Sequence, residues 1–188
     1  GDAFFRDRAT AWTETIAPAS KLTRNHDIGF IMYCSFGNAK RILGTDKYDA
    51  LLLEAADSLA KRFNPKLGLI RSWGKIEDEK DFLVIPDNMM NLELLEAATK
   101  LGGERRFADI ARSHASVTMR HHFRPDGGTY HVLNYSQKDG RIQEIRRGQG
   151  AQVGTAWSRG QSWAIYGYTM MYRETGKKEY LAFAQKVT

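Results

Sequence analysis

The chain has 188 residues, 42% of them hydrophobic, and a formal net charge of +6; this size and composition suit a single domain with a sizeable core. No run of 18 or more apolar residues occurs, so the sequence predicts no membrane-spanning helix. The charged residues are scattered, so the basic excess does not indicate a nucleic-acid-binding surface. Cys34 is the only cysteine, which excludes an internal disulfide, and its apolar neighbours predict a buried packing position.

The first half of the chain shows helical periodicity that is interrupted by one long loop. The predicted helices are 3–15, 28–43 and 46–63, where apolar residues recur at helical spacing. Gly44 ends the second helix, Thr45 can cap the third, and Pro65 follows its end. Residues 64–86 form a loop of a length that is usually functional rather than merely connecting.

The second half repeats this alternation of helices and polar segments. The predicted helices are 88–101, 104–123, 157–175 and 178–188. Gly102-Gly103 and Gly176 mark two of their ends. The irregular segment 124–155 separates the second and third of them, and a hairpin of two short strands, 129–134 and 142–147, is predicted inside it.

Helices of two kinds alternate along the chain. Nearly all-apolar helices begin near positions 28, 88 and 158, and amphipathic helices follow near 46, 104 and 178, which gives one helical hairpin every 60 to 70 residues. Apolar helices belong inside and amphipathic helices outside, so the pattern predicts an all-α, double-layered toroid. The loops that precede the inner helices would then converge on one end of the toroid.

Acidic, basic or aromatic residues stand at the start of each predicted inner helix. Asp27 and Asp87 precede the first two, and Trp157, Arg159 and Trp163 surround the start of the third. An Asp at a helix N-terminus is most often a cap, because its carboxylate accepts free backbone N–H groups. Such residues recur at three loops that are predicted to converge, and this recurrence favours an active site instead of three separate caps.

Six stretches in this order resemble the unsaturated glucuronyl hydrolases, glycoside hydrolase family 88. They are 26–30 (HDIGF), 71–73 (RSW), 87–91 (DNMMN), 123–126 (FRPD), 130–132 (YHV) and 156–163 (AWSRGQSW). The resemblance implies a six-hairpin (α/α)6 toroid, and six hairpins at this period would need about twice the present length. Residues 1–188 are therefore expected to form one partial catalytic domain of about three hairpins, without the N- and C-terminal hairpins of the family.

The resemblance also implies a reaction. Enzymes of this family act on oligosaccharides that a polysaccharide lyase has left with a terminal 4,5-unsaturated uronic acid, and they need neither a metal nor a cofactor. Asp87 would be the general acid that protonates C4 of this unsaturated sugar, and then the base that activates the water that attacks C5. Asp27 would be the second carboxylate, near the sugar hydroxyls at C2 and C3. Pro86 and the segment 146–156 depart from the family pattern, which concerns the preference for the neighbouring sugar.

Further residues match the family's binding positions one by one. His131 and Gln149 would hydrogen-bond sugar hydroxyls or water, Arg159 would face the uronate carboxylate, and Trp163 would stack on the ring. Trp157 and Trp73 would form pocket walls, and His26 would orient Asp27. Core packing of Trp157 and Trp163, and a structural ion pair of Arg159, remain open alternatives.

Three interpretations of function remain open from the sequence. Besides the glucuronyl hydrolase, they are an unsaturated rhamnogalacturonyl hydrolase on the same toroid and a non-enzymatic helical module that binds acidic saccharides. A zinc site at His114, His121 and His122 is rejected in favour of a solvated helix face, because no second ligand cluster accompanies them. Open edges of a partial toroid predict self-association, and the bacterial compartment, periplasm or cytoplasm, stays undetermined.

Overall fold

A computed structural model describes residues 2–188. The α-helices are α1 Ala3–Thr15, α2 Ile28–Met32, α3 Asn38–Leu43, α4 Asp49–Ala60, α5 Leu92–Lys100, α6 Arg106–His121, α7 Ser158–Thr175 and α8 Lys178–Lys186. The strands are β1 Phe63–Asn64, β2 Leu69–Ile70, β3 Leu83–Val84, β4 Val132–Tyr135 and β5 Ile142–Arg146. Short 3₁₀ helices cover Ala17–Lys21 and Pro86–Asn91, and a π-helical turn covers Tyr33–Gly37.

The helices pack as three successive hairpins in two layers. The continuous helical segment α2, π turn and α3 packs on α4, α5 packs on α6, and α7 packs on α8. Residues from all three hairpins form one continuous core, which includes Ile28, Leu59, Leu95, Ala111 and Tyr168. The three predicted hairpins are thus present in the structure, although α3, the C-terminal part of the first predicted inner helix, has no buried residue.

The inner layer is packed so closely that it depends on particular glycines. A Cβ on Gly29 would lie 2.6 Å from the backbone oxygen of Asn91, so α2 can approach the 3₁₀ helix Pro86–Asn91 only with glycine there. Phe30 N–H also donates to Asn91 Oδ1 at 2.7 Å. These contacts fix the start of α2 against the segment that carries Asp87.

The irregular segments contribute two small antiparallel sheets. β1 pairs with β2, and β3, β4 and β5 form a three-stranded sheet in that order. The predicted hairpin is present as β4 and β5, although its first strand begins at Val132 rather than 129. β3 adds to its edge through the pairs Leu83 with Asn134 and Val84 with Leu133, a pairing that the sequence pattern did not predict.

Two sequence predictions about polar residues are wrong. His114 and His122 are fully buried rather than on a solvated face, and His114 Nδ1 accepts the Ile70 backbone N–H at 3.0 Å, which gives a polar ring a partner inside the protein. Among residues 2–188, no three His, Cys, Asp or Glu side chains are grouped as metal ligands.

Cys34 is exposed rather than buried, because it lines an open groove beside Glu93 and Tyr166.

Helix α1 stands apart from the core. None of its residues is buried, and the aromatic side chains of Phe4, Phe5 and Trp12 are 56%, 68% and 70% exposed. The helix forms over the predicted residues, but within residues 2–188 its aromatic side chains stay exposed. No helix in this described part of the chain has the length and apolar character needed to span a bilayer.

Candidate active site

A cavity of about 580 Å³ opens where the residues that precede α2, α5 and α7 meet. This volume is in the range of small-molecule sites. Its lining residues are Asn25, His26, Asp27, Phe30, Ser72, Trp73, Ile85, Asp87, Met90, Asn91, His131, Val132, Arg147, Gly148, Gln149, Arg159 and Trp163. Eight of the nine side chains predicted for the site are therefore brought together, and Trp157 is the exception.

Asp87 is the carboxylic acid with the most perturbed environment in the cavity. It is the second residue of the 3₁₀ helix Pro86–Asn91, and its buried Oδ2 has no hydrogen-bond partner among residues 2–188. Burial raises the pKa of Asp87 to about 6, Arg159 opposes this shift, and the charge of Asp27 adds to it. A capping role would require an accepted N–H bond and would lower the pKa, so the environment is that of a proton donor.

Asp27 has the opposite environment. Its side chain is 54% exposed, and its Oδ1 lies 3.4 Å from His26 Nε2. The neighbouring His26 is buried, and burial lowers its pKa to about 4, so it is a neutral imidazole at pH 7. The two carboxyl groups of the cavity therefore lie in different environments, Asp87 buried and Asp27 exposed.

The loop that carries Asp27 is held to the segment before Asp87 through Ser72. His26 N–H donates to the Ser72 carbonyl at 2.8 Å, and Asn25 pairs with Trp73 as an isolated antiparallel bridge. Ser72 N–H in turn donates to the Leu83 carbonyl at 2.8 Å, and its hydroxyl oxygen accepts Ile85 N–H at 3.0 Å. The Asp27 loop and the segment that precedes Asp87 are thus joined through one fully buried serine.

His131 is fixed in one tautomer. Its Nδ1 accepts the backbone N–H of Gln149 at 2.7 Å, and burial, followed by the charge of Arg159, lowers its pKa. A neutral ring whose Nδ1 accepts must carry its proton on Nε2, so His131 offers one N–H donor. The ring also stacks on Trp157, with centroids 4.1 Å apart and planes at 24°.

Gly148 makes this arrangement possible. A Cβ at position 148 would overlap with the His131 ring at Nδ1, whereas a Cβ on Gly150 would come no closer than 3.3 Å to its nearest neighbour, Thr155 Oγ1. We therefore expect Gly148→Ala to cost about 1–3 kcal/mol by overpacking and to weaken saccharide binding. Thermal melts and calorimetric titration of Gly148→Ala beside Gly150→Ala check this, and equal behaviour of the two variants would contradict it.

Arg159 reaches the cavity from the first turn of α7. Its guanidinium lies over the Trp157 ring, 4.1 Å from the centroid, and donates to Gln149 Oε1. Within residues 2–188 it forms no ion pair with an acid, so the structural-pair alternative finds no support. A cation that is oriented by an aromatic face and an amide, but has no carboxylate partner, suits an anionic ligand.

Trp157 and Trp163 differ in position. Trp157 packs against two residues that line the cavity, His131 and Arg159, but does not line the cavity itself. Trp163 lines the cavity beside Phe30, with ring centroids 6.0 Å apart. The sequence prediction of a wall is thus replaced, for Trp157, by a supporting position.

Helix α7 approaches the Asp87 segment closely through two glycines on one face. A Cβ on Gly160 would lie 2.8 Å from the Trp157 ring and 3.6 Å from Pro86, and a Cβ on Gly167 would overlap with Met89. The seven-residue spacing puts both glycines on one side of the helix. This close packing sets Arg159 near enough to Asp87 to affect its pKa.

Some cavity residues were not predicted from the sequence. Asn25, Phe30 and Arg147 line the cavity, and all three stand within three residues of a predicted site residue. The exposed Arg147 is a second cation beside Gln149. The sequence feature that could have indicated Arg147 as a cavity residue was its position in a long irregular segment that contains several glycines.

No protein-family model matches the chain. Over its full length it is 43% identical to an unsaturated glucuronyl hydrolase of Formosa agariphila, of which it covers 47%. The whole chain also superposes on half of the crystal structure of an unsaturated glucuronyl hydrolase specific for heparin, with a TM-score of 0.93 and 39% identity. It also superposes on 51% of an unsaturated glucuronyl hydrolase (UGL) that has one Asp-to-Asn substitution and was solved with the saccharide dGlcA-Glc-Rha-Glc, at a TM-score of 0.92 and 28% identity.

The chain thus spans about half the length of the relatives it matches. Its three helical hairpins correspond to about half of an α/α toroid, which confirms the fold predicted from the repeat.

Proposed function

We propose that this chain supplies catalytic residues for hydrolysing saccharides with a terminal 4,5-unsaturated uronic acid. Along its whole length the chain is homologous to about half of an unsaturated glucuronyl hydrolase. The observation that carries the proposal is the environment of Asp87, a carboxyl with a pKa near 6 in a cavity that also holds Asp27 and the unpaired Arg159. A protonated acid, a second carboxylate and a cation are what this substrate needs.

The chemistry follows from the substrate's double bond. The unsaturated ring is an enol ether, so a proton from Asp87 added to C4 leaves an oxocarbenium-like centre at C5. Water adds to C5 and returns a proton to the Asp87 carboxylate, which restores the acid. The hemiketal so formed opens by cleavage of the bond between C5 and the ring oxygen, which gives a C5 ketone, and the hemiacetal left at C1 then releases the remaining saccharide.

The other cavity residues bind and orient this substrate. Arg159 pairs with the uronate carboxylate, and Trp163 packs on the sugar ring. His131, through its Nε2–H, and Gln149 hydrogen-bond hydroxyls or the attacking water. Asp27, oriented by His26, accepts hydrogen bonds from the sugar hydroxyls at C2 and C3, and its charge helps to keep Asp87 protonated. Trp73 closes one side of the cavity.

The rate should depend on pH through Asp87. Because the acid form reacts, kcat/KM should be constant well below pH 6 and fall about tenfold for each unit above it. Replacing Asp27 by Asn removes a negative charge that raises the Asp87 pKa, so the falling limb of the residual activity should move to lower pH. Steady-state rates across pH 4–9 for both proteins check this, and a limb that stays in place would contradict the coupling.

The test of function compares two substrates on the natural full-length polypeptide that contains this chain. An unsaturated uronyl disaccharide should be consumed, whereas its matched saturated disaccharide, which lacks the enol ether, should not. Turnover of both at similar rates would indicate an ordinary glycosidase. Binding of both without turnover would favour the non-enzymatic saccharide-binding interpretation.

A further inference from the structure

Arg62 is a buried arginine that bonds to backbone rather than to an acid. It lies just after α4 and is 2% exposed. Its Nε donates to the Arg71 carbonyl at 2.8 Å, its Nη2 donates to the Gly74 carbonyl at 3.2 Å, and its Nη1 donates to the Thr23 carbonyl. Among residues 2–188 it has no carboxylate partner.

The three carbonyls belong to the two loops that carry Asp27 and Trp73. Thr23 stands just before the segment 25–27, and Arg71 and Gly74 enclose Ser72 and Trp73. One guanidinium therefore bridges both loops from behind, while the His26-to-Ser72 hydrogen bond joins them at the cavity.

We propose that Arg62 is a positioning residue, which holds the Asp27 loop and the Trp73 loop in register with Asp87. The proposal rests on the function proposed above, because the register matters only if these residues act on one substrate. The connection to Asp87 runs through Ser72, which is bonded to both Leu83 and Ile85, just ahead of the acid.

Only an arginine suits this position. Three carbonyls in different directions need the planar fork of the guanidinium, whereas the ammonium of a lysine is a single point and an apolar side chain leaves all three unpaired. Burial lowers the pKa of Arg62 to about 10, so the group is still charged at neutral pH. A buried charge without a counter-ion is costly, and the carbonyl dipoles of the two loops supply its compensation.

Loss of Arg62 should be visible in the ionisation of Asp87. Two charged groups shift the pKa of Asp87, Asp27 and Arg159, and the exposed Arg147 also lines the cavity. His26 and His131 are neutral at neutral pH because burial lowers their pKa values. If the Asp27 loop relaxes away, its negative charge acts less on Asp87. The pKa of Asp87 should then fall toward its ordinary value.

The chain offers a matched control in Arg71. It is equally buried, but its guanidinium donates to the Asp78 and Asp81 carbonyls and to Gln137 Oε1, none of which lines the cavity. Arg71→Met should therefore destabilise the protein as Arg62→Met does, while the carbonyl of residue 71 still accepts from Arg62.

The first measurement needs no activity. Amide hydrogen exchange is compared in the natural full-length polypeptide and its Arg62→Met, Arg62→Lys and Arg71→Met variants. Both Arg62 variants should speed exchange at His26 and Ser72 by about tenfold or more, and Arg71→Met should leave these two amides protected. Unchanged protection of both amides in the folded Arg62 variants would overturn the proposal, and Arg62→Lys serves if Arg62→Met does not fold.

The second measurement is the pH profile of kcat/KM. Both Arg62 variants should lose about 100-fold in kcat/KM, the scale of a 1 Å misplacement, and their falling limb should move to lower pH. The limb of Arg71→Met should stay at the parent position. A lower melting temperature without a moved limb would make Arg62 merely structural. A parent without activity would defeat the proposed function, and the exchange measurement would still decide the role of Arg62.

Discussion

Replacing Asp87 by Asn is expected to remove nearly all turnover of an unsaturated uronyl disaccharide, about 10²–10⁴-fold in kcat, which is the usual contribution of a positioned acid. The amide has nearly the same shape as the protonated carboxyl, but it cannot deliver a proton to C4. Affinity for the disaccharide should be kept, because Arg159, His131 and Trp163 are untouched. Single-turnover kinetics and calorimetric titration separate these two effects.

The variant should also fold at least as well as the parent. The pKa of Asp87 is raised in the folded state, so its proton stabilises the fold below the ordinary Asp pKa, and this contribution is lost as pH rises through about 6. Asn removes the buried charge present above that pH, so its melting temperature should exceed the parent's at pH 8. Asp126→Asn, in an exposed turn, is the matched control and should retain activity. Substantial turnover by Asp87→Asn would place the acid elsewhere.

Arg159→Ala is expected to weaken binding of the uronate by about 10- to 150-fold, since a charge-assisted hydrogen bond contributes roughly 1.5–3 kcal/mol. A neutral saccharide of the same size should lose much less, because it has no carboxylate to pair with the guanidinium. Calorimetric titration with both ligands measures the difference.

Arg173→Ala is the control on the same helix. Arg173 pairs with Glu93 and Glu174 at the far end of α7, outside the cavity, so its loss should leave both affinities unchanged. Equal losses for the two ligands in Arg159→Ala would assign Arg159 a structural role beside Trp157.

The long helices could be predicted because their signals are local. The ends of α6 and α7 lie within two residues of the predicted ends, and the glycines at 44 and 176 adopt the left-handed conformation that stops a helix. The alternation of apolar and amphipathic helices was also sufficient to predict the repeated helical hairpins.

The surroundings of Asp87 could not be predicted in the same way. The sequence predicts a helix from residue 88, but the chain forms a 3₁₀ turn over Pro86–Asn91 first, because contacts from Gly29 and Gly167 shape this segment. The pairing of β3 with β4 joins residues about 50 positions apart, and no local pattern specifies such a register. The burial that raises the Asp87 pKa is a product of these distant contacts.

The buried polar residues show the same limit. His114 looks like a surface residue on an amphipathic helix, yet the Ile70 N–H gives it a partner inside. Arg62 resembles any charged residue at a helix end, and only the folded loops reveal its three carbonyls. Composition can name the residue types, but the partners that permit burial come from elsewhere in the chain.

The central claim, hydration of the double bond, is tested most directly by following two quantities in one reaction of the full-length polypeptide. These are the ultraviolet absorbance of the conjugated double bond and the saccharide released from an unsaturated uronyl disaccharide. Hydration predicts that the double bond is lost mole for mole with the saccharide released, and that Asp87→Asn stops both. Release of saccharide with the absorbance preserved would contradict the account, because the glycosidic bond would then be cut without protonation at C4.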